Sequence, residues 1–189
     1  GVTSITHKPK IYLLDVTNRD GVQTSRICLS KLQKTMINWY LDQMGIFQSE
    51  FGFPLTRHET NYLNANLELA KLGGFSRIRL SGWLRATKDD VKTAFKLVPH
   101  LKYLNLSIST SDQMIVHKFK GKLDHQSIIQ EMQEAVREAI KLGASGVGVN
   151  AEDASRTNLE YLIEFALKAK AAGADRIRYC DTLGTDTPF

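Results

Sequence analysis

A short run near the N-terminus, Asp15–Gln23, contains the first residues whose types and spacing could do chemistry. Arg19 and Asp20 stand side by side directly after the apolar segment Ile11–Thr17, and Gly21 follows them. A carboxylate can hold a cation and an always-charged guanidinium can hold an anion, so the pair could belong to a polar site. The alternative is a solvated pair of opposite charges in a loop.

Polar and ionisable residues also stand at or just past the ends of the later apolar segments. Glu50 lies between apolar neighbours, where a carboxylate is costly unless it is paired or close to a cation. Its simplest role is a salt bridge to a neighbouring Arg or Lys. Arg85 could hold a carboxylate or pair with Glu50, and the sequence leaves both possibilities open. The remaining residues of this kind are Ser107, Ser109, Glu152 and Thr182.

The elements that must position these side chains alternate between short strand-like and long helix-like segments. We predict strands at Ile11–Thr17, Ile46–Phe53, Ser76–Leu84, Leu101–Ile108, Gly146–Asn150 and Asp175–Cys180. We predict helices at Ser30–Met44, from about Arg57 to Leu72, after a Thr87 cap, at Asp124–Leu142, and from Thr157 or Asn158 to Gly173. Four helices end in a glycine that precedes a strand, so the repeat is β-α and the sheet should be parallel.

Parallel β-α units build either a doubly wound sheet or a (β/α)8 barrel. The segment after the first strand is not a glycine-rich phosphate loop, which argues against the doubly wound fold. In a barrel the polar strand ends converge on one axis, whereas in an open sheet they are strung along an edge. We therefore expect an α/β protein with a (β/α)8 TIM barrel, of which about the first six β/α units are present. Residues 1–189 should form one catalytic domain that is incomplete at its C-terminus and is closed by a second polypeptide or by further residues.

Composition limits the class of protein. No apolar run approaches the roughly 20 residues that span a bilayer, and Gly1–Lys10 lacks the apolar core of a signal peptide. The net charge of +5 is scattered without a basic run, which favours anionic metabolites over nucleic acid as partners. Cys28 and Cys180 lack CxxC spacing, so we expect a reducing, cytoplasmic location and two ordinary buried or half-buried thiols. All five histidines are expected to be surface or capping residues.

The run Asp-Val-Thr-Asn-Arg-Asp-Gly-Val-Gln at 15–23 resembles the opening signature of the DRE-TIM metallolyase superfamily. That superfamily includes 2-isopropylmalate, homocitrate, citramalate and Re-citrate synthases and HMG-CoA lyase. Five later motifs are similar to the family's second to sixth strands, in order and over essentially the whole chain. They are Gln48–Pro54, Gly82–Ala86, Leu106–Asp112 with Lys118, Asn150–Arg156 and Asp181–Gly184.

This resemblance implies an enzyme that condenses acetyl-CoA with a 2-oxo acid. Asp20 would be a ligand of a divalent metal (Mg, Mn or Zn) that chelates the oxo acid. Arg19 would stabilise the charge that develops on the keto oxygen, and Gln23 would support substrate or metal-bound water. Glu50 would contact the substrate and the metal site. The family's remaining metal ligands, a His-x-His on the seventh strand, have no counterpart in this sequence.

The resemblance also implies roles at the later strand ends. Thr182 matches a threonine that hydrogen-bonds the substrate carboxylate, although it could simply cap a helix. Glu152 matches a glutamate near acetyl-CoA and the catalytic base, although it could anchor its strand through Arg156. Ser107, Ser109 and Asn150 are further candidates for substrate binding, and their alternative role is to line the site with polar groups. Arg85 is also a candidate for substrate binding, with the Glu50 pairing as its alternative.

Within the family the motifs look most similar to homocitrate synthase of the nitrogen-fixation type, which implies 2-oxoglutarate as the oxo acid. Gly148 stands where lysine-pathway homocitrate synthases carry an arginine for the distal carboxylate. The alternatives are Re-citrate synthase, with oxaloacetate, and 2-isopropylmalate synthase, with 2-oxoisovalerate. A further hypothesis is a subunit or fragment that is inactive until a partner, either a copy of itself or a complementary subunit, supplies strands seven and eight.

Overall fold

The computed structural model describes residues 8–24, 26–121 and 124–187, in which six parallel strands alternate with helices. The strands are β1 Leu14–Asp15, β2 Gln48–Gly52, β3 Arg79–Arg85, β4 Tyr103–Ser109, β5 Gly146–Glu152 and β6 Arg176–Tyr179. The helices are α1 Lys31–Gln43, α2 Arg57–Lys71, α3 Lys88–Leu97, α4 Asp112–Lys118, α5 His125–Lys141 and α6 Leu159–Ala172. The expectations for Gly1, His7 and the segment beyond residue 187 lie outside the described residues.

The order of the strands in the sheet is the order of the chain, β1-β2-β3-β4-β5-β6, and every neighbouring pair is parallel. A doubly wound sheet would reverse its strand order at a switch point, and this sheet does not. Sequential parallel order is the arrangement of a (β/α)8 barrel. The predicted fold class, six units of such a barrel, is therefore confirmed.

The helices begin and end where local chemistry predicts. Ser30 caps α1 in a capping box with Gln33, and the side chains of Thr87, Asp124 and Asn158 cap later helices. Asn158, rather than the alternative Thr157, is the cap of α6. The four predicted glycine stops all have left-handed φ values of 77–109°, namely Gly45, Gly73, Gly143 and Gly173.

The ends of β2 to β6 differ from the sequence prediction by up to three residues, most at the start of β3, and two elements differ more. Ile11–Thr17 was predicted as a strand, but only Leu14–Asp15 pairs with β2. Among the described residues β1 has a neighbour on one side only, so Ile11 and Leu13 are 80% and 61% exposed. Helix α4 was not predicted, because seven residues are too short to display apolar periodicity.

The hydrophobic core lies between the sheet and the helices. Fully buried apolar residues on the strands, such as Leu84, Leu104 and Val149, alternate with residues that point to the opposite face. The core is completed by helix residues, among them Val91, Ala94, Ile128, Met132, Val136 and Phe165. The opposite face, the barrel interior, carries polar side chains that bond one another across strands. None of the described helices is long and apolar enough to cross a membrane.

Candidate active site

A tight turn after β1 presents Arg19 and Asp20 at the carboxyl end of the sheet. The Asp15 carboxylate accepts hydrogen bonds from the backbone N–H and the hydroxyl of Thr17, at 2.9 and 3.1 Å. The backbone N–H of Asp20 donates to the carbonyl of Val16 at 2.8 Å. The predicted pair therefore stands on a hydrogen-bonded turn rather than in a free loop.

Asn18 fixes this turn to the first helix, a role that sequence reasoning missed. Its side chain is fully buried, and its amide donates to the Lys34 carbonyl and to Asn38 Oδ1, both at 2.9 Å. A buried amide that bonds two groups of one helix restrains both the position and the direction of the chain. The neighbouring Arg19 side chain is thus held on a rigid support.

Glu50 is the centre of the site. Its carboxylate is 0% exposed, and its Oε1 atom lies 2.7 Å from Arg19 Nε and 2.6 Å from Arg19 Nη2. Its Oε2 atom accepts hydrogen bonds from Arg178 Nη2 at 2.7 Å and from Asn105 Nδ2 at 2.6 Å. The expected cost of a buried carboxylate is thus offset by two guanidiniums and an amide. The salt-bridge interpretation of Glu50 is confirmed, with Arg19 and Arg178 as its partners, whereas its contact with a substrate and a metal stays a prediction.

The network continues through Arg178, which was not predicted as a site residue, to Asn150 and Ser107, which were. Arg178 Nε donates to Asn150 Oδ1 at 2.9 Å, and Asn150 Nδ2 donates to Ser107 Oγ at 2.7 Å. The signal that could have found Arg178 is the spacing of Arg176 and Arg178, which places two arginines on the same face of β6. Asn150 and Ser107, predicted as candidates for substrate binding, are therefore connected to Glu50 through Arg178.

Gly148 is required beside this network for steric reasons. A Cβ atom at this position would lie 2.8 Å from Arg176 Nη2 and 2.9 Å from Asn105 Oδ1. The Arg176 guanidinium therefore occupies the space that a side chain at 148 would need, and it donates to Asn105 Oδ1 at 3.1 Å. Burial is the main cause that lowers the pKa of Arg176 from its usual value.

Asp20 is the most accessible charged group of the site. Its side chain is 58% exposed, and its Oδ1 atom lies 3.0 Å from Arg19 Nη1. One exposed carboxylate can accept a divalent cation, but the described residues include no group of three or more His, Cys, Asp or Glu side chains able to hold a metal. The residues present therefore fit a metal only as one ligand of a larger set. Gln23 follows in a short 3-10 helix, Gly21–Gln23, with its side chain exposed.

The ends of β4 and β5 form a second part of the candidate site. Ser109 Oγ lies 3.5 Å from Glu152 Oε2, and both residues are half-buried. They line a cleft of about 360 Å³ together with Arg85, Thr87, Ser107, Met114, His117, Lys118 and Glu131 among others. Because α4 contributes Met114, His117 and Lys118, the helix that the sequence analysis missed forms one wall of this cleft.

Arg85 does not pair with Glu50, so that alternative is wrong. Its Nε and Nη2 atoms donate to the two oxygens of Asp90 at 2.7 and 2.9 Å. The hydrogen bonds from Asp90 raise the pKa of Arg85. The Arg85 side chain is 67% exposed at the rim of the cleft, where it can still approach an anionic ligand.

Thr182 and the segment after β5 hold each other in place. The hydroxyl oxygen of Thr182 accepts a hydrogen bond from the backbone N–H of Asp153 at 2.8 Å. Asp153 has a left-handed φ of 58°, and its carboxylate is bonded by Arg156, which lowers the pKa of Asp153. Arg156 therefore anchors Asp153, and the predicted alternative in which it anchors Glu152 is wrong. Thr182 is exposed, and the structure shows it bonded to the chain itself.

The cysteines and histidines largely behave as expected. Cys180 is half-buried at the end of β6, and burial raises the pKa of its thiol. Cys28 is exposed, so the prediction of a buried or half-buried thiol is wrong there; it follows the short 3-10 helix in a segment without regular structure. His58, His100 and His117 are exposed, whereas His125 is half-buried, stacked on Tyr161 at 4.0 Å and 2.8 Å from Asp112.

Comparison with solved structures supports the same architecture. The HMG-CoA lyase of Bacillus subtilis superposes with a TM-score of 0.69 and 17% identity, over 95% of this chain and 61% of that one. An HMG-CoA lyase of Acinetobacter baumannii, solved in complex with coenzyme A and 3-methylmalate, gives 0.66 and 19%, over 94% of this chain and 58% of that one. At these identities the likeness shows the fold alone.

Curated relatives are closer in sequence. The chain is 62% identical over 180 residues to the Citrate (Re)-synthase of Dehalococcoides mccartyi, covering 95% of this chain and 43% of the relative. It is 42% identical to the 2-isopropylmalate synthase 2 of Caldanaerobacter subterraneus subsp. tengcongensis and 30% identical to the Homocitrate synthase 1 of a Nostoc species. These two comparisons also cover 95% of this chain, and 44% and 45% of the relatives, so the chain spans less than half of their length.

The sequence also matches a model of a protein family. The model described as HMGL-like matches residues 10–189, which include all six strands and every candidate site residue. The Arg19–Glu50 cluster, the six sequential β/α units and this match agree with one another, and the chain belongs to the HMGL-like family.

Proposed function

We propose that this chain carries the first six β/α units of the catalytic barrel of a Re-citrate synthase, which condenses acetyl-CoA with oxaloacetate. The observation that carries the proposal is the 62% identity to the Citrate (Re)-synthase over 95% of the chain. The identities of 42% and 30% to the isopropylmalate and homocitrate synthases support the same class of condensation with other oxo acids. These values favour the citrate alternative over the homocitrate and nitrogen-fixation interpretation that the motifs first suggested.

The reaction forms one carbon–carbon bond and breaks one thioester. The methyl group of acetyl-CoA loses a proton, its carbon attacks the keto carbon of oxaloacetate, and the keto oxygen takes up a proton. Water then cleaves the thioester to release CoA and citrate. In the transition state of the condensation, negative charge develops on the keto oxygen. A cationic donor that is already fixed in place stabilises this charge without any reorganisation of the site.

Arg19 is the residue of this chain that is suited to stabilise the keto oxygen. Its guanidinium is 16% exposed at the carboxyl end of β1, and Glu50 fixes its orientation through two contacts. Glu50 itself accepts hydrogen bonds from Arg19, Arg178 and Asn105, so its role is to position Arg19.

The cleft between β4 and β5 is suited to the acetyl-CoA end of the reaction. Glu152 is half-buried there, with Ser109 Oγ 3.5 Å from its carboxylate. A half-buried carboxylate at this position can help to move the methyl proton, while Arg85 and Lys118 provide positive charge for an anionic thioester. A divalent metal at Asp20 would supply electrophilic activation of the keto oxygen.

The described residues supply six β/α units, whereas a (β/α)8 barrel has eight. We propose that two further strands between β6 and β1 come either from a continuation of this chain or from a second polypeptide, and that they bring the other metal ligands. The two free cysteines, Cys28 and Cys180, agree with a reducing, cytoplasmic setting.

The test is CoA release by the complete enzyme with oxaloacetate, 2-oxoglutarate or 2-oxoisovalerate, each with and without an added divalent metal. We expect the highest kcat/KM with oxaloacetate and the identification of citrate as the product. A preference for 2-oxoglutarate would instead establish the homocitrate alternative. No release with any of the three acids would overturn the proposal.

A further inference from the structure

The buried cluster around Glu50 has more positive than negative charge. Arg19 and Arg178 are 16% and 31% exposed, and both bond the carboxylate of Glu50, which is 0% exposed. Asp20 also contacts Arg19, but it is 58% exposed, so solvent screens that pair and the Asp20 carboxylate remains open to a cation. Within the interior, two guanidiniums therefore share one carboxylate, an arrangement that favours the binding of one further anionic group.

Arg178 is the guanidinium of this cluster that keeps one nitrogen free of hydrogen bonds among the described residues. Arg19 uses all three of its nitrogens on Glu50 and Asp20, through Nε, Nη2 and Nη1, so only the second hydrogens of Nη1 and Nη2 remain for a ligand. Arg178 uses Nε for Asn150 and Nη2 for Glu50, whereas its Nη1 atom makes no hydrogen bond within the described residues. A planar guanidinium with a free edge is suited to bind a carboxylate.

The neighbours of Arg178 favour a ligand with acceptor oxygens. Asn150 and Ser107 lie at the same level of adjacent strands, and the Asn150 amide donates to the Ser107 hydroxyl oxygen at 2.7 Å. That bond leaves the Ser107 hydroxyl hydrogen available as a donor. A carboxylate beside Arg178 would therefore meet a charged donor and a neutral one.

We propose that Arg178 binds the second carboxylate of oxaloacetate, the one remote from the keto group, and thereby selects a dicarboxylic oxo acid. This inference rests on the proposed function, because it assigns a specificity residue for that reaction. Arg19 acts at the keto oxygen on one side of Glu50, and Arg178 receives the carboxylate on the other side. Glu50 is the common support that holds the two guanidiniums at a set distance.

Replacement of Arg178 should leave the rest of the cluster intact. In Arg178→Gln, Glu50 keeps its two contacts to Arg19 and the hydrogen bond from Asn105, and the guanidinium of Arg176 also stays close by on Asn105. The variant is therefore expected to fold, and its thermal unfolding checks this. Arg178→Lys restores the charge without the planar donor edge.

The experiment uses the complete enzyme and two ligands that differ by one carboxylate, oxaloacetate as substrate and pyruvate as inhibitor against it. In Arg178→Gln we expect the KM for oxaloacetate to rise roughly 10- to 100-fold, the size of a lost hydrogen bond to a charged group. The inhibition constant of pyruvate and the kcat should stay close to wild type, and Arg178→Lys should recover part of the affinity. The matched control is Arg79→Gln, an arginine at the start of β3 that packs between the rings of Phe47 and Tyr103 and should leave both ligands unaffected.

The outcomes separate the two proposals. Absence of CoA release with oxaloacetate in the wild-type enzyme would overturn the proposed function and this inference with it. An active wild-type enzyme in which Arg178→Gln weakens oxaloacetate and pyruvate equally would assign Arg178 a merely structural role and overturn the inference alone. An unchanged KM for oxaloacetate would overturn it as well.

Discussion

At the scale of single residues, the environment of Glu50 decides what the site can do. A carboxylate whose two oxygens accept from two guanidiniums and one amide is held in one orientation, so it serves as a fixed anchor. Its effect on chemistry passes through Arg19, whose guanidinium plane it holds. Catalysis by a preorganised charge depends on such fixed orientation more than on the presence of the charge alone.

This dependence can be tested with Arg19→Lys in the complete enzyme. The lysine keeps the positive charge but loses the two-point contact with Glu50, so we expect kcat to fall about 100-fold or more. The KM for the oxo acid should change much less, because its carboxylates are bound elsewhere. Steady-state kinetics measure both values, with the exposed Arg57→Lys as the control. A kcat close to wild type would show that charge without orientation is enough.

The sequence alone identified three charged residues of this network but not the two other residues that bond Glu50. Arg19, Asp20 and Glu50 could be selected because they belong to a recognisable motif or stand in apolar surroundings. Asn105 carries no such signal, and the spacing of Arg176 and Arg178 indicates only that they share a face of β6. Their contacts with Glu50 span 55 and 128 residues of sequence, and only the register of the strands creates them. Arg85 is a different case, because its partner Asp90 is only five residues away and a local ion pair was available as an interpretation.

At the scale of elements, Asp42 links the first helix to the third strand. Its carboxylate accepts from the backbone N–H groups of Ser76, Arg77 and Ile78 at 2.7–2.8 Å and from the Ser76 hydroxyl at 2.8 Å. Burial raises the pKa of Asp42, but these hydrogen bonds outweigh it and lower the pKa to about 2. The negative charge therefore stabilises the entry into β3.

The sign of this effect predicts how stability varies with pH. A carboxyl whose pKa is lower in the folded state stabilises the fold above its unfolded value near 3.8, and the contribution is lost as pH falls towards 2. We expect Asp42→Asn to lower the free energy of unfolding by roughly 2 kcal/mol at pH 7. Denaturant unfolding at pH 7 and at pH 3 measures this, and the deficit should be smaller at pH 3.

The exposed Glu68→Gln provides the control for this experiment, since its side chain is 51% exposed and pairs only with Lys71 at 3.8 Å. A deficit for Asp42→Asn that stays constant down to pH 3 would mean that the charge is not its source. Loss of the hydrogen-bond geometry would then be the cause.

Elements with strong local signals were predicted well, and those that depend on neighbours were not. Helix caps and glycine stops are local, so α1, α5 and α6 begin within a residue of the predicted positions. The length of β1 depends on a second pairing partner, which a local pattern does not report. Helix α4 carries a Ser111 cap and Asp112 in its first turn, a signal that was available without apolar periodicity.

At the scale of the whole molecule, the two outer strands, β1 and β6, have one neighbour each among the described residues. Helix α6 likewise leaves Leu159, Ile163 and Leu167 52–67% exposed at a spacing of four residues, which forms an apolar stripe along one side. A completed barrel would place another helix against this stripe and further strands against β1 and β6. We therefore expect both sides of the half-barrel to be covered in the complete enzyme.

Hydrogen–deuterium exchange can test this expectation. Backbone amides of β1 and β6 should exchange much more slowly in the complete enzyme than in the isolated 189-residue chain, because the added strands would provide new partners. The central strands β4 and β5, which already have neighbours on both sides, serve as the internal reference. Equal protection of β1 and β6 in both proteins would argue that these edges stay open.

The polar side chains of the barrel interior also help to set the register of the strands. Apolar layers tolerate a slipped strand, since one aliphatic side chain can replace another. A slip of β6 by one residue would turn Arg178 towards the helices and bring Ile177 or Tyr179 to Glu50. Glu50 would then be buried without the hydrogen bond from Arg178 and would keep only those from Arg19 and Asn105, which leaves its charge less well compensated. The same ions that equip the site for chemistry therefore also penalise misfolded alternatives.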